Sequence, residues 1–283
     1  MATLTTTEPS SGILLPTYDT ATERDLSARA GLADTVQQTL AMAWRALKKM
    51  RRNPEQFFDV TLQPVMFTAM FAFILGGGLA GSVHDYLPWI IPGVLAQTAL
   101  TACMAAGTQM REDMDKGVFD RFKSLPIARI APLAGPMLAD LLRYTIAAVI
   151  TVATGLLMGY RPGGGVFFVT LGLLLTVFSG WCLAWIFACL GTIARSAQAV
   201  QGIGMMIMFP LTFLSNAMVD PRTMPDWLET FVKINPVSHV VTAVRDLMND
   251  GQVTAEVGWA VLGCAVVVAI FAPLAVRFYS RKM

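Results

Sequence analysis

The chain has 283 residues, 55% of them hydrophobic and only 14% charged, and its 21 Lys and Arg against 19 Asp and Glu leave a formal net charge of +2. A soluble domain carries about 25% charged residues, so the composition excludes one, and the small net charge gives no reason to expect a nucleic-acid partner. The apolar content, at a mean hydropathy of +0.57, is gathered into runs of roughly 20 residues, the length that crosses about 30 Å of hydrocarbon. The fold class expected is therefore an all-α, polytopic membrane protein.

Residues 1–31 are Thr- and Ser-rich and lack a long apolar core, so they read as a disordered tail rather than a signal peptide. Residues 32–56 form the second unit. Within them Val36, Leu40, Ala43, Trp44 and Leu47 recur at helical spacing, and Arg45, Lys48, Lys49, Arg51 and Arg52 supply positive charge. A basic amphipathic helix of this kind fits the plane of a membrane surface. It also fits packing on other protein, and the two can hold together. Residues 57–283 form the third unit, with six spans expected at about 58–79, 88–110, 137–159, 166–190, 199–219 and 257–276.

The basic residues are unevenly distributed. Those flanking the first span, those of the loop after the second (Arg111, Lys116, Arg121, Lys123, Arg129), and Arg195, Arg277, Arg281 and Lys282 fall on one side. Only Arg161, Arg222, Lys233 and Arg245 fall on the other. The positive-inside rule then puts both termini in the cytoplasm and residues 220–256 outside, with Trp89 and Trp259 suited to an aromatic belt.

An ionisable side chain at mid-membrane costs about 2.5–3.5 kcal/mol on insertion scales and marks function. None is expected there. Asp59, Asp140 and Arg143 lie within a turn or two of cytoplasmic span ends, where snorkelling or a helix start accounts for them; Asp140 and Arg143, spaced i, i+3, can also neutralise each other. A proton-coupled carrier and a membrane enzyme both need buried titrating groups that are not visible. Cys103, Cys182, Cys189 and Cys264 lie in apolar runs without CxxC spacing, so free thiols are expected, and His84 and His239 are too few for a His-rich metal site. No GxxxxGK[ST] phosphate loop is present, so energy for any work must arrive through another protein.

The stretch "REDMDKGVFDRFKSLPIAR", residues 111–129, packs nine charges between two apolar runs. Asp115 is placed to cap a helix through "GVFDRFKS", and Pro126 to end it after Leu125. Val118, Phe119, Phe122 and Leu125 make one face, which must bury itself against lipid, its own bundle or a partner groove. This stretch resembles the first cytoplasmic loop of permeases of the ABC type-2 exporter family, whose coupling helix carries a "G-x-x-(D/E)-R-x-x-x-x-P" pattern. Gly117, Asp120, Arg121 and Pro126 match it. A second match is "FPLTFLSNAMVDPRTMPDWLETFVKINPVSHVVTAVRDLM", residues 209–248, and the resemblance covers about residues 35–283.

The resemblance implies a six-helix half-transporter that pairs with a second copy of itself and with two ATPase subunits on separate chains, which would hold the ATP and Mg. No cofactor is expected in this chain. The resemblance also implies that the amphipathic stretch, with Trp44, Arg45 and Lys48, is a connecting helix beside the ATPase. The 220–256 segment would supply short re-entrant outer helices closing the exit, with Trp227, Phe231, Pro236 and His239 as the outer gate. From the residues alone, two helices lying on the outer membrane surface are an alternative; Asn235 caps the second, with Pro236 at its first position, and His239 and Arg245 face outer water.

Pro210 should kink the fifth span, and Met205, Met208, Phe209 and Phe213 surround it. With Met66 and Met70 in the first span they make an adaptable lining for a substrate path, although lipid contact or core packing accounts for any one of them as well. Gly202 and Gly204 permit close helix approach. The function expected is an ATP-driven exporter of hydrophobic or amphiphilic compounds in the cell membrane. A lipid or glycan-precursor exporter and a membrane anchor that recruits an ATPase without transport are the alternatives.

The docking reading predicts that Phe122→Ala weakens ATPase association while the spans still insert. A buried Phe contributes roughly 1.5–3 kcal/mol, and about 1.4 kcal/mol is tenfold in affinity, so one to two decades should be lost. Co-purification of ATPase with tagged chains measures this, and wild-type retention would place that face against the bundle instead.

Overall fold

The computed structural model describes residues 32–51, 54–79, 81–117, 130–219, 221 and 224–282. The 1–31 tail and the 118–129 stretch carrying Val118, Phe119, Asp120, Arg121, Phe122, Leu125 and Pro126 lie outside the described residues. Among those described, the chain is helical throughout, with nine α-helices and no strand: α1 (Leu32–Arg51), α2 (Pro54–Leu79), α3 (Val83–Asp115), α4 (Ala131–Leu157), α5 (Gly165–Ile193), α6 (Ala197–Phe213), α7 (Asp226–Ile234), α8 (Pro236–Arg245) and α9 (Ala255–Lys282). A single π-helical turn, Asp246–Asp250, follows α8 and is closed by Gly251 at φ +64°.

Among the described residues, four helices are long and apolar enough to cross a membrane: Val83–Asp115, Ala131–Leu157, Gly165–Ile193 and Ala255–Tyr279. The apolar helical parts expected as spans one and five are shorter, Thr61–Gly77 and Ala197–Phe213. α6 stops six residues before the expected end of its span. Its helix runs on through Pro210, whose carbonyl still accepts the Leu214 N–H, and the chain then turns through Ser215 and Asn216, both buried with hydrogen-bond partners.

α3 is the axis of the bundle. It packs on α2, α4, α5, α6 and α8, and its buried side runs from Tyr86 to Met110. It also outruns the expectation at both ends. Ser82 caps it, accepting from the Asp85 N–H at 3.1 Å. At the other end the charged residues extend the helix instead of starting a new one. Asp115 pairs with Arg111 inside its last turns, as Lys116 does with Glu112 at 3.4 Å, and Gly117 at φ +65° then ends it. The expected N-cap role of Asp115 is thus corrected.

Between apolar helices in lipid, close backbone approach replaces the hydrophobic driving force. At the crossing of α3 and α5, a Cβ on Gly107 would run into the Phe187 carbonyl, and one on Gly191 into the Gly107 carbonyl. Gly204 of α6 similarly seats Met104 of α3, whereas Gly202 faces open space. The four cysteines are free and buried.

Gly191→Ala should therefore push α5 off α3, at about 1–3 kcal/mol for overpacking. Gly202→Ala, with nothing within 4 Å of its added Cβ, should be neutral or better. Thermal unfolding of the purified chain separates the two, and equal melting temperatures would remove the crossing as a stability determinant.

Candidate functional site

Two groups of interacting polar and charged side chains stand out, one near each end of the bundle. At one end α1 lies across α4: Ala43 and Thr39 are buried, and Gly135 of α4 leaves room for the Met42 Cβ and the backbone of α1. Val36, Leu40 and Trp44 point away from the bundle, Trp44 with 71% of its surface exposed. One helix thus packs on protein and presents an apolar stripe outward, so the two expectations for it are compatible. Arg45 and Lys48 are exposed beside this stripe. Lys49 Nζ reaches Asp113 Oδ1 of α3 at 2.8 Å.

Deeper at the same end, Arg143 and Asp140 of α4 pair at 3.2 Å, with side chains 5% and 10% exposed. Arg143 also donates to the Ala102 carbonyl of α3 at 2.8 Å. The i, i+3 neutralisation holds, but snorkelling does not, because the guanidinium turns inward to a carbonyl and an acid instead of outward to water. A cavity of about 210 Å³ lies between α1, α3 and α4, bounded by these charges.

At the opposite end the expectation that Arg245 faces water is overturned. Arg245 is 9% exposed. Its guanidinium lies 3.6 Å from the centroid of the Trp89 ring and donates to the carbonyls of Asn216 at 2.9 Å and Trp89 at 3.4 Å. Trp89 is thereby the platform on which this cation stacks. Trp259 remains well exposed. His239 is half-buried and its Nδ1 lies 2.6 Å from Glu256 Oε2, joining α8 to the first turn of α9. Burial pushes the Asp246 carboxyl above its ordinary value, against the Thr254 hydroxyl that donates to it at 2.8 Å.

Asn235 does more than the expected capping. Its Oδ1 accepts the Val237 N–H at 2.9 Å, the cap of α8, and its Nδ2 donates to the Leu211 and Leu214 carbonyls at 2.9 and 2.8 Å. One side chain therefore starts α8 and closes the open end of α6. Asn249 works alike, accepting from Tyr160 at 2.6 Å and donating to the Pro88 carbonyl at 2.7 Å. Neither bridge was found from the sequence; for Asn235 the available signal was an amide between Ile234 and Pro236, which must find partners when buried.

The expected path residues divide. Met66, Met70, Met205, Phe209, Pro210 and Phe213 are exposed on the single chain, with Phe209 and Phe213 stacked at 4.4 Å, but Met208 is buried in the core. α2 and α6, which carry them, each pack on α3. Of the expected gate, Trp227, Phe231 and Pro236 are exposed, while Val232 between them is the buried anchor of α7. The face of Val240, Val241, Val244, Leu247 and Met248 is buried as expected.

An all-helical bundle with apolar membrane-length helices and polar groups held at its ends defines a multi-pass membrane protein. The chain belongs to the ABC-2 type transporter family, whose model matches residues 37–249. It is 40% identical over 280 residues to the daunorubicin resistance ABC transporter permease protein DrrB1 of Streptomyces coeruleorubidus, covering 99% of this chain and 97% of that one. It is 28% identical over 189 residues to the doxorubicin resistance ABC transporter permease protein DrrB of Mycobacterium tuberculosis, covering 66% and 65%. The resemblance read from the two motifs is thereby established at the level of the family.

Asn235→Ala should lose both the cap and the α6 bridge, and Asn235→Asp should keep the cap acceptor but set a carboxylate against two carbonyls. Leaving buried groups unsatisfied costs about 1–3 kcal/mol, so both variants should melt lower, Asp no higher than Ala. An Asp variant as stable as wild type would leave the cap as the only contribution.

Proposed function

We propose that the chain is the membrane subunit of an ATP-driven exporter of hydrophobic or amphiphilic compounds, powered by an ATPase on a separate chain. The observation that carries this is its 40% identity, over nearly the full length of both chains, to a permease named for daunorubicin resistance. Two copies of the chain and two ATPase subunits make the working unit. α2, α3, α4, α5, α6 and α9 are the six spans, both termini are cytoplasmic, and α7 and α8 are the re-entrant outer helices. The charged loop with Gly117, Asp120, Arg121, Phe122 and Pro126 is the segment that couples to the ATPase, with α1 beside it as connecting helix. In this reading the exposed Met and Phe side chains of α2 and α6 face the second copy and line the route between the two.

The test is uptake of daunorubicin into inside-out vesicles containing this chain with its ATPase. ATP-dependent accumulation that needs both proteins is expected, together with stimulation of the ATPase by the compound. Recruitment of the ATPase without stimulation or uptake by any amphiphile would establish the anchor alternative, and uptake confined to a lipid-linked sugar would establish the precursor exporter.

A further inference from the structure

The cavity at the α1 end has no part in the path proposed above. It is built where α1, α3 and α4 meet, and four cations and two carboxylates stand on its wall: Arg45, Lys49, Lys116 and Arg143 against Asp113 and Asp140. Both carboxylates are engaged in place, Asp113 by Lys49 at 2.8 Å and Asp140 by Arg143 at 3.2 Å. Lys116 also reaches Glu112, off the wall, at 3.4 Å. The wall is thus positive on balance. Its other side is apolar and adaptable, made by Met42, Met110, Met137, Leu133 and Pro136.

Size and setting narrow the occupant. About 210 Å³ is below the roughly 300–1,000 Å³ of pockets for drug-sized ligands. It equals about seven waters at roughly 30 Å³ each, enough for a phosphodiester and its glycerol. α1 presents Val36, Leu40 and Trp44 outward while Arg45 and Lys49 line the cavity, which places the cavity at the level where lipid headgroups meet acyl chains. Basic pockets between membrane helices on the cytoplasmic side take anionic headgroups. A cationic amphiphile would instead meet the same charges and be repelled.

We propose that this cavity binds the headgroup of an anionic phospholipid, with the phosphate beside Arg45, Lys49 and Lys116 and the first methylenes on the methionine side. A lipid held there joins the connecting helix to the last turn of α3. Lys116 is two residues from the start of the 118–129 stretch, so occupancy bears directly on the segment proposed to meet the ATPase.

The experiment is native mass spectrometry of the full chain, offered phosphatidylglycerol and phosphatidylcholine with identical acyl chains. A preference of about tenfold or more for phosphatidylglycerol is expected, given the attraction of each nearby cation for an anionic headgroup. Arg45→Glu/Lys116→Glu should abolish the preference, and Arg277→Glu, an exposed charge outside the cavity, should keep it. Soluble glycerol phosphate should not displace the lipid; displacement would mean a free-phosphate site. Displacement by a cationic amphiphile would assign the cavity to cargo. Equal retention of the two lipids by the unaltered chain overturns the proposal without recourse to any variant, as does equal loss in Arg277→Glu, which would signify general surface charge. None of these measurements depends on transport, so failure here leaves the exporter reading intact.

Discussion

In hydrocarbon no water is available to a stranded N–H, C=O or charge, so each must find its partner inside the protein. At several points this bundle meets that constraint by setting a buried polar side chain against a backbone carbonyl of another helix or turn. Arg143 takes the carbonyl of Ala102 on α3, Arg245 that of Asn216, and Asn235 those of Leu211 and Leu214 at the end of α6. Each is a donor placed where a helix stops or where two helices cross. The positions of the helix ends follow from these partners as much as from hydropathy.

The same constraint explains how the bundle holds together. Burial of apolar side chains contributes little between helices that lipid solvates equally well, so close contact and polar bridges must do more. Close contact is concentrated where Gly107 and Gly191 bring α3 against α5, and where Gly204 seats Met104. Polar bridges are concentrated at the end holding α7 and α8: Tyr86 to the Met218 carbonyl at 2.6 Å, Tyr160 to Asn249, His239 to Glu256. Short helices such as α7 and α8, with 9 and 10 residues, would be marginal alone. They are fixed by side chains that reach back to the long helices.

Hydropathy made the helical class and the long spans legible, because runs of apolar residues have one stable form in a membrane. The Asn235-Pro236 start of α8 was legible too, since it depends only on local backbone chemistry. What escaped was set by partners distant in sequence. Arg245 looked like a surface cation because nothing nearby in the chain announces Trp89, 156 positions away. Asp115 looked like a cap because Asp often is one; its pairing with Arg111 inside a continuing helix was the competing possibility, and the charge spacing at i, i+4 was its signal. The family motif in the loop was legible as a pattern, and beyond Gly117 it lies outside the described residues.

α3 connects the two polar ends. It contributes Asp113 to the Lys49 pair and the Ala102 carbonyl to Arg143 at one end, and Trp89 to Arg245 at the other. At about 1.5 Å per residue its 33 residues span roughly 50 Å. Its packing on α5 brings backbone against backbone at Gly107 and Gly191, so the two helices have little room to shift against each other there. A shift of α3 along its axis therefore strains the ion pairs at the α1 end and the Arg245–Trp89 stack together.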